Sequence, residues 1–200
     1  MKLWEKAILL GLVFTMLFTL TGFAAQCGQI ENKVFRLHVL ANSDSEEDQA
    51  LKLKVRDRIL EESRGLFEDS ETREDAEQEA AAHLEEFRLA AQEEIYEQGY
   101  SYPVTVTLEH CYFNTRYYED VTLPAGYYDA LRVEIGAAEG KNWWCVMFPP
   151  MCLPAAEESK ELSDVLDPGE MEIVEGGQKF EARFKIVEWI EGLKAWLRGE

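Results

Sequence analysis

Basic residues are scarce: 20 Lys and Arg stand against 39 Asp and Glu in 200 residues, a formal net charge of -19. Phosphate binding needs clustered cations to displace counterions, so nucleic acid is excluded as a partner. The same charge repels anionic headgroups over roughly a Debye length of ~10 Å, so any membrane contact has to come through apolar segments. Only three histidines are present, His38, His83 and His110, and no two lie at the i, i+4 spacing of a helical metal pair. The four cysteines contain no Cys-x-x-Cys, so neither a metal site nor a cofactor is expected. A Gly-x-Ser-x-Gly nucleophile turn is missing, and the one glycine-flanked loop, Gly136 to Gly140, carries Glu139 where a phosphate would sit.

What is present belongs to a folded protein: the chain is 46% hydrophobic and 12% aromatic, too apolar for disorder throughout. Lys2 and Lys6 precede an apolar run from Ala7 to Leu20, followed by the small residues Gly22, Ala24 and Ala25. This order predicts a signal peptide over 1–24 with a cut after Ala24. The competing reading is an uncleaved anchor, since Ala7 to Ala25 approaches the ~20 residues that span a bilayer. Cys27 raises lipid attachment, but Gln26 stands before it where a small residue is wanted. In either case Lys2 and Lys6 stay inside and the body from Glu31 onward lies outside the cytoplasm. That compartment permits disulfides, and Cys145 and Cys152, with Pro149 and Pro150 to turn the chain between them, are the candidate pair; the alternative is two buried thiols.

Along the exported part, Val34 to Ala41 alternates as a half-buried strand does. Ser43 with Glu46 has capping-box spacing. Leu51, Val55, Ile59 and Leu60 then form an apolar stripe on a helix from Asp48 to about Glu62. A second helix is expected over 71–98, from Ala76, Ala80, Leu84, Phe87, Ala91 and Ile95, with Gly99 as its stop. Strand signals follow at Pro103 to Leu108, Cys111 to Phe113, Tyr127 to Ile135 and Trp143 to Phe148. The pattern predicts one α+β domain over 34–153, two helices packed on a mainly antiparallel sheet. Residues 154–182 read as an acidic flexible linker, broken by Pro168, Gly169, Gly176 and Gly177. Residues 183–198 read as a C-terminal amphipathic helix with Ile186, Ile190, Leu193 and Leu197 on its stripe and Trp189 and Trp196 beside it. This helix is expected to dock on the core or to meet a partner or a membrane.

A hydrolase would have to draw on Ser43 or Ser45 with His38 and Asp44, or on Asp44 and Asp48 as acid and base. A helix N-terminus needs Ser and Asp in any case, so the Asn-Ser-Asp-Ser turn has a structural use without substrate. An aromatic that faces outward from a strand is a candidate anchor for a partner protein. Trp143 and Trp144 are adjacent, so on a strand they face opposite ways.

Three blocks, LHVLANSDSEEDQALKLKVRDRIL (Leu37 to Leu60), TLPAGYYDALRVEIG (Thr122 to Gly136) and KNWWCVMFPPMC (Lys141 to Cys152), resemble the signature blocks of the stage II sporulation protein R family. FKIVEWIEGL (Phe184 to Leu193) is similar to the family's terminal helix. The resemblance implies a protein made in the forespore and exported into the intermembrane space. There it would activate a membrane-bound aspartic protease that processes pro-sigma-E, with Asn42, Ser43, Asp44, Asn142, Trp143 and Trp144, at turns and element ends of the matching blocks, as the candidate residues for contact. It implies no enzymatic activity and carries no catalytic residues over to this chain; a secreted hydrolase acting on the cell wall through the Asn-Ser-Asp-Ser turn is the alternative.

Overall fold

Phe35, Leu37 and Val39 alternate with Arg36, His38 and Leu40 to make β1 (Phe35–Leu40). In the computed structural model, which describes residues 2–118, 121–151 and 161–198, all six are buried, so both faces of this strand are covered. The sheet runs β2 (Val104–Phe113), β5 (Gly126–Ile135), β1, β6 (Asn142–Phe148). Within it β1 pairs parallel with β5, Leu37 opposite Leu131 and Val39 opposite Val133, and antiparallel with β6. Gly136 N donates to Pro103 O at 2.9 Å, and His110 Nδ1 meets Asp129 Oδ1 at 2.8 Å. Contacts so placed, one near each end, are those of an antiparallel β2–β5 pair. The expected strands at 103–108 and 111–113 are a single β2.

Two compact units partition the chain. One comprises residues 33–111 and 127–166. Here α2 (Glu46–Glu62), α3 (Arg73–Ala82) and α4 (Leu84–Glu97) cover the face of the sheet that carries Phe35, Leu37, Val39, Leu131, Val133 and Cys145. Leu51, Val55, Ile59, Phe87, Ala91 and Ile95 meet that face, as their periodicity predicts. The short α5 (Leu162–Val165) adds Val165 to the same core. The helix expected over 71–98 is two helices. His83 leaves helical geometry at φ -110°, ψ 13°, and its amide closes a tighter turn on Ala80 O. No Gly or Pro marks that break. Gly99, at φ +83°, ends α4 where the sequence placed a stop.

The second unit comprises residues 1–32, 112–126 and 167–200. Among its described residues are α1 (Leu3–Glu31), a hairpin of β3 (Arg116–Tyr118) and β4 (Val121–Leu123), α6 (Pro168–Glu175) and α7 (Gly177–Arg198). The linker expected over 154–182 is corrected in its described part, which is helical from Leu162 on apart from short turns. Asp167 caps α6, Pro168 supplies a preset first turn, and Glu170 reaches back to the Asp167 amide at 2.7 Å. Buried Ile173 and Val174 give α6 its apolar face. Residues 154–160 of that expected linker lie outside the described residues. The terminal helix begins at Gly177 rather than 183, and a side chain at 177 would strike Thr122 Oγ1 of β4. This glycine serves close packing, not flexibility.

Candidate functional site at one end of the sheet

The C-terminal end of β1 runs into Asn42-Ser43-Asp44-Ser45, and this turn is tied to the segment before β6. Asp44 Oδ1 accepts from Lys141 N at 2.7 Å, and Gly140 N donates to Ala41 O at 2.9 Å. Asn42 Oδ1 accepts from Ala137 N at 3.0 Å and crowds Gly136, whose φ of +59° and lack of a Cβ make that approach possible. The turn thus fixes the loop that delivers Asn142, Trp143 and Trp144.

Asp48 organises the turn from below. Only 4% exposed, it accepts from Ser43 Oγ at 2.6 Å and Asn42 Nδ2 at 2.8 Å. Burial works to raise its pKa, but the hydrogen bonds from Ser43, Asn42, Tyr102 and Ser45 outweigh that and hold the carboxyl below its ordinary value. Lys52, one turn on and equally buried, donates to Gln49 Oε1 at 2.6 Å and Lys141 O at 2.9 Å. Burial pushes its ammonium below the ordinary lysine pKa against the pull of Asp44. Sequence reasoning missed Asp48 and Lys52 as organisers. The signal for Asp48 was its place three residues after Ser45, which is the observed N-cap of α2, accepting from Asp48 N at 3.1 Å. The capping role expected of Ser43 with Glu46 therefore belongs to Ser45, and the Ser43 hydroxyl is spent on Asp48.

The structure gathers Asn42, Ser43, Asp44 and Asn142 at one sheet end, Asn142 pairing with Leu40. Of these, Asp44 and Asn142 are exposed and Asn42 and Ser43 half-buried. Trp143 and Trp144 point to opposite faces, as adjacent strand residues must. Trp143, opposite Val39, packs against the helix-covered core with the Arg56 guanidinium 4.2 Å from its ring centre. Trp144, opposite His38, stacks on that imidazole at 3.9 Å and 11°. Both rings are half-buried, so neither is a freely projecting anchor. Cys145 is disulfide-bonded, while Cys27 and Cys111 carry free thiols; the expected partner Cys152 lies outside the described residues.

Beside Trp144 on the same sheet face lies a charged row that the periodic pattern did not single out. The Arg36 guanidinium sits 4.7 Å from the Tyr128 ring centre. Arg132 binds Glu109 at 2.9 Å and Glu134 at 2.7 Å. Burial opposes the charge on Arg132, and the two carboxylates outweigh it, raising its pKa above the ordinary arginine value. Among the described residues no group of three His, Cys, Asp or Glu side chains is arranged to hold a metal. The groups a hydrolase would draw on have other partners here: Ser43 on Asp48, Ser45 on the α2 amide, His38 on Trp144, Asp44 on Lys141.

The family model described as stage II sporulation protein R matches residues 31–158. Stage II sporulation protein R of Bacillus subtilis (strain 168) is 32% identical to the chain over 185 residues, covering 82% of this chain and 83% of that protein. No solved structure matches.

Proposed function

The chain belongs to the stage II sporulation protein R family, and from that membership we propose that it is an exported forespore signal that activates a membrane-bound aspartic protease, which then processes pro-sigma-E. The observation that carries this reading is the family match over 31–158, preceded by an apolar helix long enough to address a membrane. The body lies in the space between the two membranes of the developing spore and acts by contact, not by catalysis. Activation then has one physical meaning: the domain binds the active assembly of the protease more tightly than the inactive one. Asp44, exposed on the turn that Asp48 holds, and Asn142, exposed at the start of β6 next to Lys141 whose amide binds Asp44, are the surface candidates with a fixed geometry, flanked by Asn42, Ser43, Trp143 and Trp144.

Co-expression of the full chain with the membrane protease and pro-sigma-E tests this directly. Cleavage of the precursor is expected only when all three are present. Cleavage at the same rate without the chain would overturn the reading, as would hydrolysis of a peptide or glycan by the purified chain alone.

A further inference from the structure

Helix α1 changes character along its length. It has 29 residues, or about 44 Å at ~1.5 Å per residue, against a hydrocarbon core of ~30 Å. From Leu3 through Gly22 its described side chains are almost all exposed, Leu3, Trp4, Leu12, Phe14 and Phe18 among the large apolar ones. From Phe23 a stripe at helical spacing, Phe23, Cys27 and Ile30, is buried. Phe23 is 3% exposed: its ring lies 5.6 Å from that of Phe180 and 5.4 Å, edge-on, from that of Phe184. The Arg183 guanidinium sits over it at 5.6 Å. Between Lys6 and Phe23 the helix carries only uncharged residues, Ala7 to Gly22, about 24 Å of the ~30 Å hydrocarbon core, and from Phe23 on it is a wall of the compact unit that contains α6 and α7.

The cut expected after Ala24 falls inside this wall. In the folded chain Gly22 to Gln26 is continuous helix, with no extended stretch at the expected cut. The cut would also remove Phe23 and leave Phe180, Phe184 and Arg183 around a void. We propose that the N-terminal helix is retained as a membrane anchor, with Ala7 to Gly22 in the hydrocarbon, Lys2 and Lys6 at the cytoplasmic surface, and Phe23, Cys27 and Ile30 serving as core residues of the exported body. The exported signal then stays fixed to the membrane it crossed, restricted to partners within reach of that surface. This inference is independent of which protease, if any, the body activates.

The test is the N-terminus and the partition of the full chain, carrying a C-terminal tag and produced in an exporting bacterium with its own signal peptidase. The expected result is an intact mass that includes Lys2 and Phe23, with more than nine-tenths of the protein staying with membranes after an alkaline carbonate wash. A mature chain beginning at Ala25, released to the soluble fraction, overturns the proposal. Phe184→Ser removes the packing without touching the recognition sequence, so most of that variant should be cut after Ala24 whether or not it folds. If the variant stays as intact as the parent, the shielding by Phe184 is refuted. Precursor processing by the protease is scored separately, so loss of activation alone leaves the anchor measurement readable.

Discussion

The two tryptophans of β6 and the two of α7 are spaced differently, and the spacing decides what each pair can do. Trp143 and Trp144, adjacent on a strand, are sent to opposite faces, one against Arg56 and the helix-covered core, the other flat on His38. Trp189 and Trp196, seven apart on a helix, fall on one side and remain 69% and 73% exposed, with Leu193 and Leu197 beside them. The first pair is committed to folding. The second contributes little to it, since exposed apolar area gives no burial free energy. An aromatic-rich stretch is therefore not a binding site by virtue of its composition; its period against the local backbone has to leave it uncovered.

The largest effect that would break this contrast is at Trp143. Trp143→Ala should cost about 3 kcal/mol, because truncating a packed indole loses both its contacts and the fill of its site. Urea denaturation of the domain checks this, with the midpoint shifting and the m-value unchanged. A loss no larger than that of an exposed residue would place Trp143 with Trp189 and Trp196 as available surface.

Next in size is Asp48, on which the geometry of the Asn42–Asp44 turn depends. Asp48→Ala strands the donors of Asn42 and Ser43 and should cost about 2 kcal/mol. Because its folded pKa lies below the unfolded value, the ionised carboxylate stabilises the fold at pH above the ordinary carboxylate range. That contribution is lost as pH falls through the ordinary range toward the lowered folded value. A pH series of denaturation midpoints should therefore fall less steeply with acid in Asp48→Ala than in the parent. Parallel curves would mean that Asp48 titrates normally.

Ser45→Ala should cost about 1 kcal/mol, the value of an N-cap hydroxyl, and leave processing of pro-sigma-E intact. Ser43→Ala with Ser45→Ala is the sharper version. If the proposed activation holds, a binding module bearing both changes should lose at most the contact that Ser43 makes once its stability loss is compensated by lower temperature, whereas a Ser-dependent hydrolase would lose nearly all turnover.

The strands and helices of the 33–111 and 127–166 unit were legible wherever one period ran uninterrupted: β1, α2, β5 and β6 were each expected within a few residues of their observed bounds. The break at His83 was not, since neither side chain nor composition distinguishes a tight turn closed on Ala80 from one more helical turn. The second unit was hardest to read because it is assembled from three stretches far apart in sequence, so which face of each is buried depends on distant partners. Gly177 looks like flexible punctuation until Thr122, distant in sequence, is seen to require a missing Cβ. At the candidate site, the exposed residues Asp44 and Asn142 were found by their turn chemistry. The burial of Asp48 and Lys52 depends on Lys141 and Tyr102, and no local pattern reports contacts of that range.

The smallest expected effect is the one that most sharpens the tryptophan comparison. Trp189→Ala with Trp196→Ala should change the stability of the chain by no more than about 0.5 kcal/mol, the usual range for surface positions without special contacts. Emission from the three remaining tryptophans should move to the blue, because the double change removes two of the three most exposed indoles and leaves half-buried Trp143 and Trp144 with the exposed Trp4. Unchanged stability with a blue shift would mean that the fold does not need this aromatic face. A loss as large as that of Trp143→Ala would mean that the face is covered in the folded chain in solution, and the distinction between the two pairs would disappear.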